Sequence, residues 1–178
     1  KLSGKRVATI DYDQPSIYLV NHIGASMVPS NSANFSGKFN NGSVDVAYAP
    51  AVAYKPLELY KGLQDNGGIL RFVLAYMDFQ IIIRADKFPA DFGQKSRSKV
   101  ASYFDRVNEF VTKETQEIDP KYWMDLSPET TQQYNEMLRD VRIKLRDQGV
   151  YDGKMLKLMR KLRCKTNPVA AECASKLE

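Results

Sequence analysis

The sequence is poor in the residues that most often carry chemistry. Its 178 residues include one histidine, His22, and two cysteines, Cys164 and Cys173. A zinc site draws on several nitrogen or sulfur ligands at short spacing, and His22 lies far along the chain from either cysteine. No metal and no cofactor are therefore expected. The same scarcity argues against covalent catalysis: no serine sits in G-x-S-x-G, and His22 has no nearby nucleophile to activate. Asn40-Asn41-Gly42 is not followed by Gly-Lys-Ser/Thr, so it is no P-loop. Asp11 and Asp13 are paired acids, but a helix-capping position explains them without chemistry. The chain is not expected to be an enzyme. Nothing in it approaches the ~18 consecutive apolar residues of a membrane span, no internal repeat is evident, and no segment is low in complexity. It opens on Lys1-Leu2-Ser3-Gly4 and runs straight into a strand, so no leader is expected within it.

What is present is enough apolar residue, 43%, to build a core. The net charge of +5 is unevenly spread. Lys154, Lys157, Arg160, Lys161, Arg163 and Lys165 form a run without an acid, and the rest of the chain is left at about −1. The basic character belongs to one C-terminal helix. It reads first as a solvated face, with no nucleic-acid partner expected; a nucleic-acid patch is the alternative. Cys164 and Cys173 bracket KTNPVAAE, with Asn167 and Pro168 between them to turn the chain. Two readings stand. In an oxidising compartment a disulfide closes that small loop, worth about 2–3 kcal/mol, and otherwise the pair are buried free thiols.

Along the chain, Val7 to Ile10 is a short apolar strand. Asp13 and Pro15 open a helix carrying Ile17, Leu19, Val20 and Ile23, and Gly24 stops it. Ser26 to Pro29 is a second strand. Asn31 or Ser32 caps a helix with Phe35 and Phe39 on one face. The FNNGSVD turn, with Asp45 bonding its amides, leads to a third strand, Val44 to Ala49. Short loops in a β-α-β-α-β order favour parallel strands with right-handed crossovers. Pro50 to Leu63 reads as a helix with Tyr54, Leu57, Tyr60 and Leu63 as its stripe, interrupted at Pro56. After the Asp65-Asn66-Gly67-Gly68 turn, Ile69 to Ala85 reads as an unusually long β-rich run. Helices are then expected over Lys99 to Gln116, from Ser127-Pro128-Glu129 to Gly149, and around Met155, Leu156, Met159 and Leu162. Val100, Phe104, Val107, Phe110 and Val111 line one side of the first of these.

LSGKRVATID, then IGASMVP, then FNNGSVDVAYAP resembles the second lobe of TRAP-type periplasmic solute-binding proteins. Gly4, Lys5, Gly24, Ala25, Pro29, Asn41, Gly42, Val44 and Asp45 carry the resemblance, which covers most of Lys1 to Ala85. It implies an α/β fold: a periplasmic-binding-protein-like lobe with a parallel-rich sheet, a long crossing strand and C-terminal helices. The implied organisation is an α/β ligand-binding lobe over 1–66, an inter-lobe strand over 67–88 and a helical segment over 89–178 packing on the lobes. The resemblance also implies a bacterial periplasmic location with an upstream signal peptide, a further N-terminal lobe, a small-molecule solute, membrane transporter subunits as partners, and a compartment suited to a Cys164–Cys173 disulfide. Two features depart from the pattern. The family's carboxylate-clamping arginine falls at Ala8 or Thr9, with Arg6 two or more residues early, and Ala49 replaces an asparagine before Pro50. An organic-acid ligand is thus not implied.

Ligands of open α/β lobes bind beyond the carboxyl ends of the strands. That rule selects Asp11, Tyr12 and Asp13 after the first strand, Asn31 after the second and Tyr48 at the end of the third. Tyr76 and Asp78 in the long run form a second group. Tyrosines suit such a cleft, offering apolar area with a hydroxyl to orient a ligand, and acids without an arginine favour a neutral or cationic solute. Helix capping is the structural alternative for Asp11 and Asp13. A scaffold of the same fold without a transport role is the alternative function.

Overall fold

The structure, a computed structural model, describes residues 2–76, 81–174 and 177. It begins with a parallel β-α-β unit. Strand β1 (Arg6–Ile10) pairs in register with β2 (Ser26–Ser30), Arg6 opposite Ser26 and Ile10 opposite Ser30. Helix α1 (Gln14–His22) crosses between them with Pro15 in its first turn, where a missing amide costs nothing. Gly24 ends the crossover at φ +69°, a conformation side chains disfavour. Helix α2 (Phe35–Asn40) then carries the chain to the far side of β1.

There the third strand is shorter than expected. Of Val44 to Ala49, only Val46 makes a parallel bridge, to Val7. The amide of Ala8 donates to the Val46 carbonyl at 2.9 Å, and that of Val46 to the Arg6 carbonyl at 3.1 Å. The next rung would send the Ile10 amide to the Tyr48 carbonyl. The Tyr48 hydroxyl takes that amide instead, at 3.2 Å, so a side chain replaces a ladder bond and the strand stops. Pro50, which has no amide to donate, follows.

Two further expectations are revised. The helix foreseen over Pro50 to Leu63 is a 3-10 turn at Ala51–Ala53, a loop containing Pro56, and one helical turn, α3 (Tyr60–Leu63). Pro56 breaks it, and Glu58 follows at φ 51°. The long β-rich run forms strand only at β3 (Ile69–Leu70) among its described residues. Asp78 lies outside the described residues. β3 pairs in parallel with β4 (Trp123–Met124), Ile69 opposite Trp123.

The remainder is helical: α4 (Phe92–Ala101), α5 (Phe104–Gln116), α6 (Pro128–Asp147), α7 (Gly153–Thr166) and α8 (Ala171–Ala174). The helix foreseen from Lys99 begins earlier and is divided at Ser102 and Tyr103. Ser127 caps α6 by accepting the Thr130 amide at 3.2 Å, and Asp152 caps α7 by accepting that of Met155 at 2.7 Å. The molecule is thus mixed α/β.

The buried side chains among the described residues fall into three groups. Val7, Ala8, Thr9, Val20 and Val44 are buried around the small sheet, while Val141, Leu145 and Leu156 are buried on α6 and α7. Helix α6 packs on α1, so the helical half covers the outer side of the crossover. A separate cluster joins Tyr54, Leu63, Ile118 and Tyr122, with Phe39, Ile69 and Trp123 packed against it. The Tyr122 hydroxyl donates to the Gln64 carbonyl at 3.0 Å, satisfying a phenol that burial would otherwise leave without a partner.

Candidate functional site

Because β1 is central, with β2 on one side and Val46 on the other, the carboxyl ends of three chain segments lie side by side. The Asp11 amide donates to the Ser30 carbonyl at 3.0 Å, which carries the ladder one residue past β1 and sets Asp11 beside Asn31. On the other flank, the Tyr48 phenol reaches Ile10. Five of the seven residues singled out from sequence are therefore gathered at one end of the sheet: Asp11, Tyr12, Asp13, Asn31 and Tyr48.

Their side chains differ in freedom. Tyr12 is 72% exposed and Asp11 is also exposed. Asp13 stands at the N-cap of α1 yet caps no amide; its carboxylate accepts the Ser16 hydroxyl. Asn31 is committed to a turn, its Oδ1 accepting the Ala33 amide at 3.0 Å, while Asn34 Oδ1 accepts the Asn31 amide at 2.9 Å. Tyr76 is 87% exposed in a non-strand stretch and is not tied to this group by any hydrogen bond among the described residues.

Two further side chains border the same end and escaped the sequence reading. Lys38 of α2 donates through Nζ to the Pro29 carbonyl at the end of β2, and approaches Ser30 Oγ at 3.5 Å. Tyr151, in the turn between α6 and α7, is partly buried within electrostatic reach of Asp13. Burial first, and then the Asp13 charge, push its phenol pKa above the ordinary value, against the opposing pull of Arg142. Only the fold brings residue 151 to the end of β1; no spacing in the sequence signals it.

The opposite end of β1 is occupied differently. Arg6 donates through Nη2 to Asp45 Oδ1 at 2.7 Å and to the Gly42 carbonyl at 3.0 Å, and its backbone amide donates to Asp45 Oδ2 at 2.8 Å. This corrects the expectation for Asp45: Asn41 Oδ1 accepts the Ser43 amide of the turn, and Asp45 holds Arg6. Arg6 is roughly 16 Å along the strand from Asp11, at ~3.3 Å per residue. Ala8 and Thr9, where a ligand-clamping arginine was sought, are buried.

Cys164 and Cys173 form a disulfide, which decides between the two readings of that pair. It fastens α8 to the end of α7 beside Glu172, whose carboxylate accepts from Arg163 Nε at 2.8 Å and Arg142 Nη2 at 3.2 Å. Arg160 and Arg163 of the basic helix therefore face inward, toward Glu172, and the basic run is not one solvent-facing stripe. His22 sits in the last turn of α1, stacked on Tyr18 at 5.9 Å. Among the described residues no group of three or more His, Cys, Asp or Glu side chains is placed to hold a metal ion, and no helix is long and apolar enough to cross a membrane. A shallow hollow beside Asp105, Glu109 and Lys113 is formed along one side of α5 alone and offers no enclosing wall.

The family model for solute-binding protein AdeT 1/2 matches residues 1–178. The chain belongs to this family. It is 44% identical over 174 residues to the probable solute-binding protein AdeT1 of Acinetobacter baumannii, an alignment covering 98% of this chain and 57% of that protein. It is 28% identical over 173 residues to the probable solute-binding protein AdeT2 of the same organism, covering 97% of this chain and 73% of that protein. The chain therefore spans little more than half the length of AdeT1. No solved structure matches it.

Proposed function

We propose that this chain provides the ligand-binding lobe of a TRAP-type periplasmic solute-binding protein, which captures a small neutral or cationic solute and presents it to membrane transporter subunits. The observation that carries the reading is the convergence of Asp11, Tyr12, Asp13 and Tyr48 at the carboxyl ends of parallel strands, in a chain of the AdeT 1/2 family. In this reading 1–66 form the lobe, 67–88 connect to a second lobe, and 89–178 pack against both. The exposed ring of Tyr12 and the half-buried ring of Tyr48 supply apolar area, and the acids supply charge for a cation. Asn31 acts by shaping the loop, Tyr76 of the connector adds a second candidate contact, and Asp78 stays a candidate contact on its sequence position alone.

Thermal denaturation of the chain against a library of amines, amino acids, sugars and organic acids tests this. A true ligand at a hundred times its Kd adds about 2.7 kcal/mol to stability, a shift of several degrees. The expected hit is a neutral or cationic metabolite whose effect is lost in Asp11→Asn. Stabilisation by dicarboxylates alone, or by no metabolite at all, would sink the proposal.

A further inference from the structure

Helix α7 presents three faces around its axis. At ~100° per residue, Leu156, Arg160, Arg163 and Cys164 fall within an arc of roughly 100° that faces the body of the molecule. Leu156 is buried there, Arg160 and Arg163 turn to Glu172, and Cys164 is tied to α8 by the disulfide. Lys154, Lys157, Lys161 and Lys165 occupy the next arc, roughly 80° wide. Met155, Leu158, Met159 and Leu162 fill a third, roughly 100° wide, at the spacings of three and four that keep side chains on one helical face. These four apolar side chains are 42% to 56% exposed, and all stand on one unbroken helix. Scattered apolar residues in water need no explanation, but a continuous row does.

The charge beside the row selects its partner. Helix α7 contains no acid, and its four lysines form no ion pair among the described residues. Glu172, the acid nearest at hand, is spent on Arg163 and Arg142. A second copy of the chain would set lysines against lysines. A nucleic acid would meet the lysines but leave the apolar row in water, and α7 has no aromatic ring on which a base could stack. An anionic bilayer satisfies both rows at once. Its phosphates meet the ammonium groups, and its acyl boundary accepts Met and Leu without demanding a matching shape. Helix α5 also exposes apolar side chains, but there Asp105, Glu109 and Glu114 offset Arg106 and Lys113, so no partner charge is selected.

We propose that α7 is a membrane-surface helix, which holds the chain reversibly on a bilayer rich in anionic phospholipid. Its Met and Leu row enters below the headgroups, and its lysine row lies among the phosphates. The apolar arc is centred roughly 140° round the axis from the inward face, so contact leaves Leu156 and the Glu172 pairs undisturbed. The 14 residues of α7 then lie along about 21 Å of the surface, at 1.5 Å per residue. Lysine stems run beside the apolar row and keep their charged ends at headgroup level. Each lysine near an anionic leaflet strengthens binding about fivefold, and salt screens that gain. One short helix with such a row gives peripheral, salt-sensitive binding and not insertion across the bilayer.

Co-sedimentation of the disulfide-bonded chain with vesicles tests the proposal. At about 50 mM salt the wild type should partition about tenfold or more in favour of vesicles of equal parts phosphatidylglycerol and phosphatidylcholine over vesicles of phosphatidylcholine alone, and about 0.5 M salt should release it. Lys157→Glu with Lys161→Glu should weaken binding to the anionic vesicles about tenfold or more. Lys99→Glu with Lys113→Glu makes the same change in net charge on α4 and α5 and should weaken it less than about threefold. Leu158→Gln leaves every charge in place and should still weaken binding about threefold or more, because the apolar row is interrupted. All three variants change exposed side chains and should keep the wild-type circular dichroism and melting temperature. Absence of binding to the anionic vesicles, or equal binding to the two kinds, would overturn the proposal. So would equal losses in the two double variants, which would make net charge the cause. Full binding by Leu158→Gln, or tighter binding to duplex DNA than to the vesicles, would reduce α7 to a basic patch and overturn it too.

Discussion

Asp45 grips Arg6 twice, taking its backbone amide at 2.8 Å and its guanidinium at 2.7 Å. The side-chain bond, then the backbone bond, hold the Asp45 carboxyl down at about 2, below its ordinary 3.8. The pair closes the amino end of the sheet, where the third segment meets β1. A carboxyl with a depressed folded pKa contributes stability that is fully present above the ordinary value and is lost as pH falls toward 2. The difference in melting temperature between wild type and Asp45→Asn should therefore be constant above pH 5 and shrink between pH 4 and 2. A difference that persists unchanged at pH 2 would contradict the assignment.

The disulfide and Glu172 act on the same element, because residue 172 adjoins Cys173 and its carboxylate spans Arg163 of α7 and Arg142 of α6. The loop closed by nine residues of separation is worth about 2–3 kcal/mol by chain entropy. Cys164→Ser with Cys173→Ser should cost no more than that in urea denaturation. Partial burial raises the Glu172 pKa, but Arg163, then Arg142 and Arg139, outweigh it and leave the carboxyl below its ordinary value. Once α8 is free, those contacts weaken. Glu172→Gln should then cost less in the double serine variant than in the disulfide-bonded chain, a non-additivity that a double-mutant cycle reads directly. Additive effects would show the two to be independent.

The Tyr48 phenol accepts the Ile10 amide in place of a ladder carbonyl. Tyr48→Phe removes that acceptor while keeping the ring. It should cost about 1 kcal/mol, and the Ile10 amide should exchange with solvent roughly fivefold faster, while the Ala8 amide, bonded to Val46, keeps its protection. Equal acceleration at both amides would mean that the whole third segment had detached. The same substitution should weaken the response to a solute without abolishing it, because the hydroxyl is then lost from the site but the apolar face remains.

The β-α-β core was legible because its signals are local: a short apolar run at Val7 to Ile10, Pro15 at a helix start, Gly24 at its end. The position of the candidate site followed from topology alone, since parallel strands bring their carboxyl ends together whatever their side chains do. What failed had competing local and non-local causes. Asp45 looked like a turn residue because its partner, Arg6, is distant in sequence. Val44 to Ala49 looked like a full strand because composition does not reveal that Tyr48 will satisfy Ile10 with its hydroxyl. Tyr151 was invisible because only the packing of α6 on α1 brings the C-terminal half to the end of β1. The run from Ile69 has the composition of a strand, but a strand needs a partner, and β4 offers only Trp123 and Met124.

The turn before β3 separates two neighbouring glycines by the kind of atom each one faces. A Cβ on Gly67 would stand 2.3 Å from the Leu63 carbonyl oxygen and 2.6 Å from the Leu63 Cα, both backbone. The Gly67 amide also donates to that carbonyl at 2.7 Å, so the turn cannot widen without giving up the bond. Leu63 belongs to the buried cluster with Tyr54, Ile118 and Tyr122, and displacing it would loosen their packing. A Cβ on Gly68 would collide more closely still, at 2.0 Å, but with the Met124 sulfur. That thioether ends a flexible, half-exposed side chain that can rotate away. The shorter distance should therefore be the cheaper one. Gly67→Ala should destabilise by about 2–3 kcal/mol and Gly68→Ala by less than ~1 kcal/mol, read as midpoints of urea unfolding with unchanged slope. The reverse order would mean that the Met124 side chain, rather than the turn's backbone, is what the fold holds fixed at this corner.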